Sequence, residues 1–560
     1  MTESSRRKYL KMLGIGGLAG LAGCQEGSQS SGTEGSDGSD GSSGSGGSDE
    51  DTTEEESEVL YGGTLRLVVP QTLVNWSPFK GVSGTDYVFR ELMYSRLTEL
   101  NLDDTTAIPE LATEWEPNNS YDAWTFMLNE DATFPNGDTV TASDVQATVD
   151  YMVNDLEGGD TFLAGLQDTE VVDDHTITLK LDGADTEYPR RMPETGSNFI
   201  VAPKRVLEDD PGRFESEDYG SGPFNLVEAT GGNKYVLEGR DDYHNTDSDG
   251  NELPFLDTME VHVVSDQLAA TNGLVDLRYD GVQQADHNFS KRYEQGEQSG
   301  IYGHESMELI NVLLNVEHEP FDNPNVRKAI KYAVSTQEML DGIDGNGSLG
   351  YHHNVAPIHK LFADDIDDPF GREARPEKAR ELLEKEGYSG DTLLELPDLI
   401  FSKATPEKEV HAQLFQQQMA NAGIEFDIQL VTSDTWLTEY WNKDEPWYFS
   451  SWGPRAIGST VMNLAFRSGA NWNSARYSND EFDQVLTEAM TATDPETKRE
   501  KMKEAQQILH LDGPWIVTTF LKTYGAWNDY VENVDIGFSN EKSYFDYARL
   551  TSDAPQGPSP

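Results

Sequence analysis

"NVLLNVEHEPFDNPNVRKAIKYAV", residues 311 to 334, decides the fold class. With the residues before it, the run "MELINVLLNV" is apolar for long enough to read as a buried strand. A few residues on, Asn323 caps and Pro324 opens a helix predicted over "NPNVRKAIKYAVSTQEMLDGI". Working outward, "ARPEKARELLEKEGYSG" is a helix closed by glycines, and "IEFDIQLV" (424 to 431) is a strand following a helix. "SNDEFDQVLTEAMTATDPETKREKMKEAQQILHLD" gives two more helices, and "PWIVTTFLKTYGAWN" is the returning strand. Strands alternating with helices predict a mostly parallel sheet in this half and a mixed α/β class overall.

The first half is richer in strands. "GGTLRLVVP" (62 to 70) alternates apolar and polar and ends in proline, as a first strand does. "TDYVFRELMYSRLTEL" (85 to 100) sets Val88, Leu92, Met93 and Leu97 at helical spacing. Trp124, Phe126 and Leu128 alternate as in a strand, and Thr141 to Asp144 caps the helix that follows. "TITLKL" and "NKYVLEG" read as further strands. Trp115, Trp124 and Phe134 are assigned to the core.

The chain opens with "SRRKYLKMLGIGGLAGLAGC" (5 to 24), a basic start before an apolar run of about a dozen residues, which is a signal-peptide pattern. Arg6 and Arg7 resemble a twin-arginine export signal, and the run is too short to span a bilayer. Leu21-Ala22-Gly23-Cys24 resembles a lipobox, so Cys24, the one cysteine of the 560 residues, is read as a lipid anchor; a disulfide within the chain is excluded. Residues 25 to 58, glycine, serine and acid with almost nothing apolar, read as a disordered tether reaching roughly 30 Å.

A formal net charge of −60, from 101 acidic and 41 basic side chains, argues against nucleic acid and anionic lipid headgroups as partners, since phosphate binding needs clustered lysine and arginine. The acids run along the whole body. This composition suits high salt, where screening removes the cost of self-repulsion.

"IPELATEWE…WTFMLNEDATFPNGDTVTASDV", "GSGPFNLVEA" (220 to 229), "ELPFLDTMEVHVV" (252 to 264), "NVLLNVEHEPFDNPNVRKAIKYAV" and "PEKARELLEKEGY" (376 to 388) resemble, in this order, the family 5 extracellular solute-binding proteins, the oligopeptide, dipeptide and nickel type receptors of ABC importers. The signal and the charge add a haloarchaeal lipoprotein character. The resemblance implies a three-lobed, periplasmic-binding-protein-like fold over 59–550: lobe I about 59–90, 197–305 and 524–550, lobe II about 91–196, lobe III about 306–523, and 551–560 a flexible tail. It implies a monomer on the extracellular face of the membrane, with no cofactor, handing a small solute or peptide to permease subunits.

Peptide-binding members of that family carry Trp-x-x-Asp in lobe III, the aspartate taking the peptide ammonium. Here "SSWGPRAIGSTVMNLAFRSGANWN" keeps Trp452 and Gly453 but sets Arg455 at the acid's place. A guanidinium fork suits a carboxylate or phosphate and repels an ammonium. Either the ligand is anionic at that end, or Arg455 pairs with one of the chain's own acids. Trp472 and Asn473 are further loop-borne candidates, with core packing the alternative. From lobe I, "GVSGTD" (81 to 86) matches the family loop that lays its backbone along the ligand, with Ser83, Gly84 and Thr85 small enough to permit approach.

Other signals are weaker. Gly345, Gly347 and Gly350 have dinucleotide-fingerprint spacing but follow a helix and read as a loop. Asn245, Asp247, Asp249 and Gly250 mimic a calcium loop that has Leu256 where glutamate belongs. Tyr351, His352 and His353 read as a polar rim rather than a metal site. A sugar or metal-chelate receptor on the same fold is the alternative function. A secreted hydrolase is more remote, as no GxSxG, HExxH or P-loop occurs.

Overall fold

The longest strand, Ser299–Leu314, organises the sheet. Ile310, Val312 and Leu314 enter one apolar core, while Leu309 and Leu313 enter another on the opposite face. Burial on both faces is what a near-continuous apolar run requires. The computed structural model describes residues 60–73, 75–81, 83–102, 105–156, 163, 165–193, 199–285, 287, 299–402, 406–432, 435–534 and 543–557. The signal with Arg6, Arg7 and Cys24, and the tether, lie outside the described residues.

Among these, an 11-stranded sheet runs Ile428–Val431, Leu399–Ser402, Trp447–Trp452, Ser299–Leu314, Trp515–Asn528, Gly281–Val282, Thr64–Val69, Thr258–Val263, Lys234–Gly239 and Phe224–Thr230, with Gly347–Leu349 added beside Trp515–Asn528. The expectation of a mostly parallel sheet needs correction. Leu399–Ser402 is parallel to both neighbours, but Ser299–Leu314 is antiparallel to Trp447–Trp452 and to Trp515–Asn528. Helical crossovers do return those two strands in one direction; Ser299–Leu314 is inserted between them.

Local signals explain most element ends. Asn323 accepts from Asn325 N at 2.9 Å at the start of helix Pro324–Ala333. The helix expected to continue to 343 breaks there, and Ser335 caps a second one, Thr336–Gly342, by accepting from Glu338 N at 3.1 Å. "IEFDIQLV" likewise divides into Ile424–Glu425 and Ile428–Val431. Helix Gly84–Met93 stops short of Leu97, because Ala112 N donates to Leu97 O at 2.8 Å and Leu111 N to Arg96 O at 3.0 Å. Thr141 donates from N (2.9 Å) and Oγ1 (2.7 Å) to Asp144 Oδ2, opening helix Ala142–Asn154.

A four-stranded antiparallel sheet, Ala112–Pro117, Ala123–Leu128, Thr176–Leu181 and Leu166–Asp173, shares a core with Leu65, Leu67, Val88, Leu92 and, from the C-terminal region, Leu550. Trp124 and Phe134 are buried in it and Trp115 packs against it half-buried. "GSGPF" has a steric reason: a Cβ on Gly220 would lie 1.6 Å from Met93 O, and one on Gly222 2.5 Å from Met93 C. Residues 551–557 do not trail away as expected, since Thr64 N donates to Gln556 O at 3.0 Å.

Thr246–Asn251 forms a turn of its own. Asp247 Oδ1 accepts from Asp249 N (2.9 Å) and Asn251 N (2.8 Å), and Oδ2 from Asn251 Nδ2 (2.9 Å), so its carboxylate is engaged within the turn.

Candidate ligand-binding site

Trp452 ends the strand Trp447–Trp452 and stands opposite Leu309 in register. The chain then leaves the sheet through Gly453 and Pro454 and re-enters order at helix Gly458–Ala465. Between them opens a narrow cleft, continuous with solvent, lined by Trp452, Gly453, Arg455, Asn354, His359 and Val461 among others. The structure therefore brings three of the expected residues, Trp452, Gly453 and Arg455, to one place.

Arg455 is half-buried. Its Nη1 donates to Pro454 O at 2.9 Å, and it has no ion-pair partner among the described residues. Two arginines nearby differ. Arg190 pairs with Glu187 at 2.6 Å and donates to Ala456 O at 3.0 Å, while Arg191 pairs with Asp185 at 2.6 Å. Arg455 keeps most of its donors available in a half-enclosed, apolar-walled cleft, where a charge-assisted contact is stronger than in open water.

Asn354 and His359 were not singled out by the sequence. Asn354, on the cleft wall, donates Nδ2 to Gly458 O at 2.9 Å, and its Oδ1 is buried with no partner among the described residues. His359 Nδ1 accepts from Leu361 N at 3.0 Å, and Nε2 stands 3.0 Å from both Ala456 O and Gly458 N. Burial, reinforced by the charge of Arg190, pushes this imidazole down to about 4, so it is a neutral wall that ties loop 354–361 to 456–458. No local signal marks these residues, because the contact spans 97 positions.

The other expected residues are placed differently. Trp472 packs against Trp452 (5.9 Å between centroids) and edge-on to Trp441 (5.8 Å), behind the cleft wall. Asn473 is buried and closes its own loop: Nδ2 donates to Arg467 O (3.0 Å) and Tyr477 O (2.7 Å), and Oδ1 accepts from Tyr477 N (3.0 Å). It has no donor left for a ligand. Ser83, Gly84 and Thr85 form no open loop: Ser83 caps helix Gly84–Met93, its Oγ accepting from Asp86 N (3.1 Å) and its N donating to Asp86 Oδ2 (3.0 Å). Gly84 is kept small by Gln284, whose Nε2 would lie 2.2 Å from an added Cβ. Thr85 is buried with Oγ1 unpartnered among the described residues.

The polar rim expected at Tyr351–His353 is also corrected. His352 and His353 are buried, and His352 stacks on His510 at 5.6 Å; burial holds both imidazoles well below the usual range. Gly347–Leu349 is a short strand rather than a loop, and Gly350 lies against Val517 O, 2.1 Å from where a Cβ would be. Among the described residues no three His, Cys, Asp or Glu side chains converge on a metal position, and no helix is long and apolar enough to cross a membrane.

Comparison with known proteins bears on the fold and the family. Dipeptide-binding protein DppE of Bacillus subtilis is 25% identical over 497 residues, 82% of this chain and 85% of its own. Heme-binding protein A of Haemophilus influenzae is 24% identical over 517 residues, 84% and 89% respectively. The solved structure of the oligopeptide-binding protein AppA from Bacillus subtilis with a nonapeptide superposes with a TM-score of 0.73 at 20% identity, covering 88% of this chain and all of that one. AgaA with agropinic acid, from A. tumefaciens, gives 0.75 at 18% identity over 87% and 99%. The model of bacterial extracellular solute-binding proteins, family 5 (middle), matches residues 106–474. More than half of the chain is thus covered, and the protein belongs to family 5 of the extracellular solute-binding proteins, the solute-capturing components of ABC importers.

Proposed function

We propose that the protein captures a peptide or related small solute bearing an anionic group, holds it at Arg455, and passes it to the permease of an ABC importer. One observation carries the anionic part: Arg455 lines the cleft without a carboxylate partner among the described residues in a chain with 101 acids to 41 bases. Relatives named for dipeptides and a structural neighbour holding a nonapeptide favour a peptide; a neighbour holding agropinic acid adds an acidic solute on the same fold. The sugar reading fits less well, since Trp452 is only 7% exposed and has little ring face to offer for stacking. Capture proceeds by lobe closure, with 59–90, 197–305 and 524–550 moving against 306–523 and 91–196 beside them. The protein works on the outer face of the membrane, anchored through lipid on Cys24, as a monomer. Protein purified from its natural host is denatured and the released small molecules are identified by mass spectrometry. A carboxylate-bearing peptide or solute is expected; neutral sugars alone, or cleavage of a labelled peptide by the protein, would overturn the reading.

A further inference from the structure

A second crevice, open to solvent, shares no lining residue with the cleft at Arg455. Four carboxylates, Glu91, Glu99, Glu110 and Asp546, line it with a single guanidinium, Arg96. Arg96 is already engaged: it donates to both oxygens of Glu91 at 2.8 and 2.7 Å and to Glu99 Oε1 at 2.7 Å. Glu110 and Asp546 are left with no lysine or arginine on the cavity wall besides the engaged Arg96. Buried carboxylates without a counter-charge are costly, so such a pair calls for a proton or a cation.

Glu110 is 7% exposed. Its Oε1 accepts from the Tyr243 hydroxyl at 3.2 Å, while Oε2 is fully buried with no hydrogen-bond partner among the described residues. The nearest imidazole nitrogen, His244 Nε2, stands 3.8 Å from it, beyond hydrogen-bond distance, and is also unpartnered among them. Asp546, 9% exposed, takes backbone N–H bonds from its own residue and Tyr547; burial, with repulsion from Glu110, pushes its carboxyl up to about 7. Asn245 donates Nδ2 to Tyr243 Oη at 3.0 Å, which leaves its amide oxygen as a neutral acceptor on the same wall.

We propose that this crevice binds a hard cation, calcium being the best match, ligated by Glu110 Oε2 and the Asp546 carboxylate, with neutral oxygens and water completing the shell. Two carboxylates balance a divalent charge. Calcium accepts six to eight oxygens in irregular geometry, whereas thiol and imidazole sites suit softer metals. The cation would tie Glu110, in the segment leading to the four-stranded sheet, to Asp546 in the C-terminal segment, and so couple two distant parts of the chain.

The test uses the full chain stripped with EDTA and held at constant ionic strength. Terbium chloride is titrated with excitation of the aromatic side chains, then displaced with calcium chloride; magnesium and sodium chloride arms rank the ions. Surface acids contribute a background, so the readout is the difference from Glu110→Gln and, as a second variant, Asp546→Asn. Wild type is expected to bind terbium at least tenfold more tightly than either variant and to melt higher in millimolar calcium, a rise the variants lose. Identical titrations and calcium-independent melting in all three would overturn the site and leave a proton shared by the two carboxyls. A calcium effect of equal size in wild type and both variants would place the ion elsewhere and overturn it too.

Discussion

Replacing Arg455 should weaken ligand binding and leave the fold alone, a separation that follows from its contacts. Inside the protein the side chain makes one hydrogen bond, Nη1 to Pro454 O at 2.9 Å, across a single peptide unit. Without a carboxylate partner among the described residues, its loss strands no buried charge, and a half-exposed substitution of this kind changes stability by about 0.5 kcal/mol or less. Binding is different. A charge-assisted hydrogen bond contributes roughly 1.5–3 kcal/mol, so Arg455→Ala should raise Kd about 10- to 150-fold. Arg455→Lys keeps the charge but loses the two-pronged geometry and should fall between wild type and alanine. Arg455→Asp should be weakest, because it adds repulsion. Calorimetric titration of the co-purified solute, with melting curves in parallel, reads both effects. Wild-type Kd in the alanine and aspartate variants, both folded, would refute the reasoning and leave Arg455 as a surface group; a collapse of melting temperature in Arg455→Ala would refute the claim that it is free.

Gly220→Ala should cost about 3 kcal/mol or more, because its Cβ would meet backbone, Met93 O at 1.6 Å, which cannot rotate away; an unaltered melting curve would contradict this. His411 is buried between Thr518 Oγ1 and Met339 O, both at 3.0 Å, and burial pushes it to about 4 from 6.5. The folded value lies below the unfolded one, so its contribution is complete above pH 6.5 and shrinks on acidification, by about 2 kcal/mol at pH 5; the stability gap between wild type and His411→Asn should narrow by that amount between pH 7.5 and 5 in denaturant titrations, and parallel pH curves would sink the assignment. If Cys24 carries lipid, Cys24→Ser should release exported protein into the medium, whereas membrane retention of that variant would count against the anchor.

Signals confined to a few neighbouring residues were legible. The alternation at Trp124, Phe126 and Leu128, the Thr141–Asp144 cap and the Asn323–Pro324 helix start all lie where spacing puts them, since each depends on bonds within one turn or one pleat. What failed depends on distant partners. Leu97 has helical spacing, yet its carbonyl is claimed by Ala112. The antiparallel placement of Ser299–Leu314 between two co-directional strands is invisible to a pattern of alternating elements. The cleft divides in the same way: Trp452, Gly453 and Arg455 are adjacent in sequence and were found together, while Asn354 and His359 arrive from a loop about a hundred residues earlier. Asn473 takes the packing alternative, and sequence leaves that choice open because an amide that closes a loop has the same composition signal as one that meets a ligand.

An anionic ligand and a protein of formal charge −60 make an unusual pair, and salt decides how they meet. The net charge repels such a ligand over distances set by the Debye length, about 30 Å at 0.01 M but about 3 Å at 1 M. Contact with Arg455 acts at hydrogen-bond distance in a half-enclosed cleft and is screened much less. Raising ionic strength therefore removes most of the opposing long-range term and little of the favourable local one. Affinity and association rate should both rise between about 0.05 and 1 M salt, the reverse of ordinary attraction between opposite charges. Stopped-flow quenching of tryptophan fluorescence, over the salt range in which circular dichroism shows the fold intact, measures the rate directly. Arg455→Ala should keep the rising association rate, because the repulsion comes from the whole chain, and lose mainly in the dissociation rate. Association that slows steadily with added salt would mean the ligand is drawn in by the acidic surface, and would make it a cation that Arg455 does not hold.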